Sequence, residues 1–305
     1  MTANSASVVS RMKVLLSPEG MTATWRFSAT ATSGDCPSSE VPLIVVPGGP
    51  GLPHSYLRCL AALAGPGRPV VFYDPHGCGP SELRSDTAAT TSRFSTLVDE
   101  FDRVIDHFAG PDGCFVLGHS SGGWIALEAM LRDATIRSRI AKLVLASVPL
   151  DVPAFVEAQT ALIVSLGAGA HRRLRNRPPT RGRSAVAYNR DYERFLHTFI
   201  CRPPWPPEVV EAMAQSNREL YETLWGPSEV CVTGELRNWS CTDRAGALEM
   251  PILLTSGRYD EVTPVLVEDA IRLLPTAGWC MFENSAHMPH LEEPDHYLDI
   301  VGAFL

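Results

Sequence analysis

Four short runs in the first half of the chain are apolar at every position: Leu43-Ile44-Val45-Val46, Val70-Val71-Phe72-Tyr73, Cys114-Phe115-Val116-Leu117 and Leu143-Val144-Leu145. Uninterrupted apolar runs of this length, bounded by Gly, Pro or Asp, predict strands buried on both faces. Between them the period changes. Leu97, Phe101, Val104, Ile105 and Phe108 recur at helical spacing, and Gly122 through Leu131 reads as a second helix around Trp124-Ile125-Ala126-Leu127. The strand pattern returns at Pro251–Thr255 and Trp279–Phe282, and His296 to Leu305 closes the chain as a helix. Strands alternating with helices predict an α/β protein with a mostly parallel sheet flanked by helices on both faces. Two earlier segments, Val8–Leu15 and Thr22–Phe27, are expected to pair as an antiparallel hairpin at the sheet edge.

The alternation stops between about Asp151 and Ala247. That stretch is helix-like and punctuated by Pro203-Pro204-Trp205-Pro206-Pro207, so it is expected to interrupt the sheet as a helical cap. The division is a core of residues 1–150 and 247–305 with a cap of residues 151–246. A length of 305 residues fits a main domain with an insertion better than two full domains. Within the cap, His171 to Ser184 carries Arg172, Arg173, Arg175, Arg177, Arg181 and Arg183 and no acid. The stretch reads as a solvated loop; the competing reading is a docking surface for an acidic protein partner.

Charge narrows the function. A net charge of −8 disfavours generic nucleic-acid binding, which needs a basic face. The eight cysteines form no CxxC pair and no zinc-spaced cluster with histidine, so a reducing, cytoplasmic setting is expected and no metal site. Met1 to Gly20 lacks the apolar core of a signal peptide, and no apolar run is long enough to span a membrane.

The chemistry enters at Gly118-His119-Ser120-Ser121-Gly122, a G-x-S-x-G segment that follows a strand and opens a helix. A serine on so sharp a turn projects its hydroxyl from the sheet edge, and the glycines allow the backbone to crowd there. A serine hydroxyl needs a base, and the base needs a carboxylate to orient it. Asp260 lies just past the strand Pro251–Ser256 and His287 just past Trp279–Phe282. The order Ser, Asp, His at successive strand ends predicts Ser120 as nucleophile, His287 as base and Asp260 as its orienting acid. His290 is the rival base, while His119 reads as a residue that packs behind the nucleophile or supports a group that acts in the site. Oxyanion donors are expected from the N–H groups of Ser121 and of Gly49, in the loop Gly48-Gly49-Pro50-Gly51.

Together these segments resemble the proline iminopeptidase family of serine peptidases, which have the α/β-hydrolase fold. Pro47-Gly48-Gly49-Pro50-Gly51 is similar to that family's HGGPG, and Tyr73 through Ser81 to its DQxGxGxS segment. Gly257 through Pro264 resembles its acid-bearing loop and Ser285-Ala286-His287-Met288 its histidine loop. In the cap, Tyr221 through Glu229 resembles a segment of the tricorn-interacting aminopeptidases. The resemblance implies that Glu229, Glu261 and Tyr221 hold the free α-amino group of the substrate. It also implies amide hydrolysis after a single amino-terminal residue, with no metal or organic cofactor. The substrate is then a small peptide or, as in some relatives, an aminoacylated polyketide amine. Pro47, Pro75 and Pro80 depart from the family's histidine, glutamine and arginine. Ser121 replaces a bulky aromatic residue, which is expected to enlarge or reshape the pocket at the scissile bond. The apolar segment from Ala154 to Val164 would line a channel or pack the cap onto the core. Competing classes are a carboxylesterase with no need for an amine and a catalytically dead binding module.

Overall fold

The apolar runs become the middle of a mixed sheet. The computed structural model describes residues 8–29, 39–83, 93–202 and 204–305; Cys36, one of the eight cysteines, and Pro203 lie outside the described residues, as does the start of the Met1–Gly20 stretch. The strands are β1 (Val8–Leu16), β2 (Gly20–Ala29), β3 (Leu43–Val46), β4 (Val70–Tyr73), β5 (Glu82–Leu83), β6 (Cys114–His119), β7 (Ile140–Ala146), β8 (Ile252–Gly257) and β9 (Ala277–Phe282). Their spatial order is β1-β2-β4-β3-β6-β7-β8-β9, with β5 pairing at the start of β2. The first two strands form the expected antiparallel hairpin, and every pair from β4 through β9 is parallel.

Period two along the strands sorts the core into two layers. Ile44, Val46, Val71, Val116, Leu143, Leu145, Ile252 and Leu254 face one side, beneath the helices Phe94–Phe108 and Ser121–Arg132. Leu43, Val45, Val70, Phe72, Leu117, Val144 and Leu253 face the other, against Pro294–Phe304 and the 3₁₀ helix His54–Leu63. Burial on both faces explains why these strands read as solid apolar runs rather than alternating ones.

Register brings the reactive loops to one edge. His119 lies beside Ala146, Ala146 beside Thr255, and Thr255 beside Cys280. Loops leaving β6, β8 and β9 therefore emerge together at the carboxyl ends of the strands, where open α/β sheets bind ligands.

Between β7 and β8 the chain runs through the helices Val152–Ser165, Ala168–Leu174, Gly182–Phe195, Pro207–Ala214 and Arg218–Leu224. Asp151 caps the first of these by accepting from the Ala154 N–H at 2.7 Å. Val152 N–H to Trp239 O, at 2.9 Å, and Cys241 N–H to Leu150 O, at 3.0 Å, bring the outgoing and returning chain side by side. The arginine-rich stretch is partly helical rather than all loop: Arg172 and Arg173 sit on Ala168–Leu174, and Arg183 sits on Gly182–Phe195. Arg173 pairs with Asp191, while Arg172, Arg175, Arg177, Arg181 and Arg183 are exposed. Among the described residues seven cysteines carry free thiols. Among the described residues no helix is long and apolar enough to cross a membrane.

Candidate active site

Ser120 occupies a backbone conformation that side chains avoid, with φ 53° and ψ −129°, between the end of β6 and the helix Ser121–Arg132. Its N–H donates to Ala146 O at 2.9 Å, and its carbonyl accepts from Gly123 N–H at 2.9 Å. The flanking glycines are steric requirements. A Cβ on Gly118 would lie 2.6 Å from the Gly123 Cα, and one on Gly122 would lie 2.3 Å from Val46 O and 2.6 Å from Pro47 O. Both carbonyls on Gly122 are backbone and cannot yield. Gly122→Ala is expected to cost about 3 kcal/mol of stability, read as a lowered urea midpoint, and to abolish labelling of Ser120 by a fluorophosphonate.

Asp260 and His287 meet because their loops touch directly. A Cβ on Gly257, at the end of β8, would lie 2.2 Å from Ser285 O and 2.1 Å from Ala286 O, so glycine alone admits the histidine loop. His287 Nδ1 lies 2.7 Å from Asp260 Oδ1, and the same oxygen accepts from Val262 N–H at 2.8 Å. The segment Leu196–Ile200, a π turn, anchors both loops: Phe199 O accepts from Glu261 N–H at 3.2 Å and Ile200 O from His287 N–H at 3.0 Å. A π turn sets carbonyls off the regular helical ladder and so frees them for such contacts.

Three buried histidines pack edge to face here, with His119 5.0 Å from both His287 and His290 between ring centroids. Only His287 faces a carboxylate through its ring. Burial lowers the proton affinity of all three, but Asp260 more than reverses this for His287, which ends above the usual histidine range. Burial pushes His290 down to about 3, and burial together with the neighbouring His287 and His290 takes His119 well below its ordinary value. The fold thus leaves one histidine of the three able to carry a proton.

Two further carboxyls approach this histidine. Glu261 Oε1 lies 4.0 Å from His287 Nε2, and Glu261 is buried. Glu229 is reached by a local turn: Gly226, at φ 149°, follows the helix Arg218–Leu224 and reverses the chain, so that Tyr221 Oη donates to Glu229 Oε2 at 2.9 Å. Gln159 bridges the pair by donating to Glu261 Oε2 at 3.0 Å and to Glu229 O at 3.2 Å. Burial raises both carboxyl pKa values, and the negative charge of Glu229 drives Glu261 well above the carboxylate range. Two buried carboxyls so placed oppose each other's ionisation.

Ser120, His287, Glu229, Glu261 and Gly49 line one cavity of about 10 Å³, closed by Trp124, Phe155, Trp225 and Val262. Gly49 and Glu229 also line a larger, mainly apolar cavity of about 290 Å³, walled by Leu52, Leu196, Ile200, Trp205 and Met213. Of the two readings of Ala154–Val164, a channel wall or packing of the cap onto the core, the channel wall is not what forms this cavity. Phe155 closes the small cavity, and the large one is built from the π turn and the helix Pro207–Ala214. Nor does Ser121 enlarge the pocket. It is buried and lines neither cavity; the small cavity is walled instead by Trp124 and Trp225, 5.4 Å apart between ring centroids. Gly48 N–H is taken by Tyr56 Oη at 2.8 Å, whereas Gly49 N–H makes no hydrogen bond among the described residues. Ser121 opens its helix, so its N–H has no partner within that helix. Sequence reasoning missed Gln159, Tyr192 and Trp225. The available signal was Gln159 itself, a long uncharged polar side chain in the largely apolar run Ala158–Val164, which the structure buries.

The chain matches the Alpha/beta hydrolase family over residues 43–299. It is 34% identical to the proline iminopeptidase of Heyndrickxia coagulans over 266 residues, 87% of this chain and 90% of that one. Identity to the proline iminopeptidase of Thermoplasma volcanium is 31%, over 88% of this chain and 90% of the relative. Among solved structures, VinJ superposes with a TM-score of 0.84 at 26% identity, and the proline iminopeptidase of Mycobacterium smegmatis with 0.81 at 29%; each alignment covers 96% of this chain and 97% of the other. Likeness of this extent, in sequence and in fold, makes the chain a member of the proline iminopeptidase family of alpha/beta hydrolases.

Proposed function

We propose that this hydrolase cleaves the amide bond that follows a single acyl residue bearing a free amino group, with Ser120 as nucleophile. The observation that carries the reading is the pair Glu229 and Glu261, set in the cavity that Ser120 and His287 line, with Tyr221 donating to one and Gln159 tethering both. A buried ammonium needs opposite charge around it, or desolvation defeats binding. Two carboxylates satisfy that need and fix how far the acyl chain extends from the amine to the hydroxyl.

In this reading Ser120 Oγ attacks the carbonyl and His287 Nε2 takes its proton. Asp260 holds the ring through Nδ1–H and stabilises the imidazolium. Gly49 and Ser121 N–H groups receive the oxyanion. His287 then protonates the departing amine, and water hydrolyses the seryl ester by the same steps in reverse order of roles. The acyl residue lies between Ser120 and the carboxyls of Glu229 and Glu261, where the cavity of about 10 Å³ must widen by side-chain movement to admit it. The cavity of about 290 Å³ takes an apolar leaving amine, which a peptide with an apolar second residue or an aminoacylated polyketide amine would supply. The seven free thiols support a cytoplasmic site of action.

The test is a matched pair of substrates, an alanyl amide of an apolar amine and its N-acetyl counterpart. The free amine is expected to be cleaved, and the acetylated form to react at less than about a tenth of that kcat/KM. Equal cleavage of both would replace this reading with a carboxylesterase-type hydrolase.

A further inference from the structure

A chain of buried hydrogen bonds runs behind the reactive groups and joins the three loops that carry them. Gly48 N–H donates to Tyr56 Oη at 2.8 Å, Tyr56 Oη lies 3.0 Å from His119 Nδ1, and His119 Nε2 lies 2.9 Å from the carbonyl oxygen of His287. Tyr56, His119 and His287 are all buried.

The direction of every bond follows from its last acceptor. A carbonyl oxygen can only accept, so His119 Nε2 carries the hydrogen. In a neutral ring Nδ1 is then bare, so the Tyr56 hydroxyl donates to it, and the Tyr56 oxygen is left to accept from Gly48. A charged His119 would have no lone pair for Tyr56, and the fold keeps that ring neutral. Packing alone would require only volume at these positions. This chain requires a donor and an acceptor at each, in one order.

Each end touches a working part. Gly48 precedes Gly49, and a Cβ on it would lie 2.9 Å from Ser120 Cβ. His119 precedes Ser120, and the terminal carbonyl belongs to His287. Neither Tyr56 nor His119 lines the small cavity that Ser120 and His287 share; Tyr56 lines the larger one.

We propose that Tyr56 and His119 are positioning residues, which set the spacing of Gly49, Ser120 and His287 by a hydrogen-bond chain of fixed polarity. The proposal rests on the serine mechanism above, because it assigns those three groups to one reaction. Groups that must meet in a transition state lose rate when misplaced by fractions of an ångström.

The test compares His119→Gln, His119→Leu, Tyr56→Phe and the double variant Tyr56→Phe/His119→Leu. A glutamine amide offers an N–H donor and an oxygen acceptor in place of the two imidazole nitrogens, with one further N–H, and it does not titrate. His119→Gln is expected to keep kcat within about threefold of wild type and to leave the pH profile of kcat/KM unchanged. His119→Leu and Tyr56→Phe are expected to lose about 30-fold in kcat with KM within about twofold, the pattern of an interaction that acts on the chemical step. The double variant is expected to be no worse than either single, since one break already interrupts the chain. Wild-type activity in His119→Leu, equal damage in His119→Gln and His119→Leu, or multiplied losses in the double variant would each overturn the proposal. Tyr56→Phe loses one hydroxyl and keeps the ring, so it carries the comparison if the leucine variant fails to fold. Phosphonylation of Ser120 by a fluorophosphonate should rank the variants in the same order without any amino group. Failure of the amine-binding reading therefore leaves this test intact, whereas an unlabelled wild type would strike the serine mechanism itself.

Discussion

Asp260→Ala is expected to lower kcat by about 10⁴-fold, while Asp260→Asn loses only about 10²-fold, the worth of one charge-assisted hydrogen bond of ~3 kcal/mol. The difference comes from which oxygen does the work. Both contacts of the carboxylate, His287 Nδ1 and Val262 N–H, fall on Oδ1. Oδ2 is buried without a partner among the described residues. An asparagine can therefore keep its oxygen where Oδ1 stands, hold the Nδ1–H tautomer of His287, and turn its amide nitrogen toward the unpaired side. What it gives up is charge. Alanine gives up the orientation as well.

The pH dependence separates the two effects. His287 lies above the usual histidine range because Asp260 outweighs burial. As a base it works only when neutral, so activity rises as pH climbs through that raised pKa. With the charge removed, burial dominates and the acid limb of kcat/KM moves to lower pH in Asp260→Asn. For stability the sign runs the other way: a histidine raised on folding contributes below its unfolded pKa, and that contribution fades as pH rises through the folded value. Rate profiles from pH 5 to 9 and melting temperatures over the same range check both. An asparagine variant as crippled as the alanine one would show that Oδ1 is not the sole point of attachment.

The parts of this molecule legible in its sequence are those set by period and by covalent proximity. Leu43–Val46 and Val70–Tyr73 read as buried strands because both faces of the sheet are covered, and the structure gives them these limits. Ser120, Asp260 and His287 were legible because each follows a strand in the parallel part of the sheet, β4 through β9. The helix His54–Leu63 was not, because it is a 3₁₀ helix whose buried face does not follow the α-helical period. Contacts made across the insertion were equally hidden. Nothing in the string places Gln159 against Glu261, 102 positions apart, or tells that Phe199 and Ile200 lend their carbonyls to two distant loops. Ser121 marks the limit of local substitution logic. A small side chain there opens neither cavity, because the position lines neither of them.

Glu229→Gln/Glu261→Gln is expected to lower kcat/KM for free-amine substrates by about 10³-fold, since each lost charged hydrogen bond to an ammonium is worth ~1.5–3 kcal/mol, and to make the folded protein more stable at neutral pH. The two outcomes share one cause. Without substrate, the buried carboxyls resist ionisation, Glu261 chiefly through burial and then through Glu229. A carboxyl raised on folding contributes stability below its unfolded pKa, and the contribution is lost as pH rises through the folded pKa. The native pair therefore strains the empty site above that point, and glutamines relieve it. An arriving ammonium expels the shared proton and restores both charges. KM for a free-amine substrate should accordingly fall as pH rises through the raised carboxyl pKa, until the substrate's own amine begins to deprotonate. The acetylated counterpart should show no such fall. Calorimetric titration in two buffers of different ionisation heat would detect the proton released on binding. A double glutamine variant that melts lower than wild type at pH 8, or that still prefers the free amine, would mean that these carboxyls serve the fold and not the substrate.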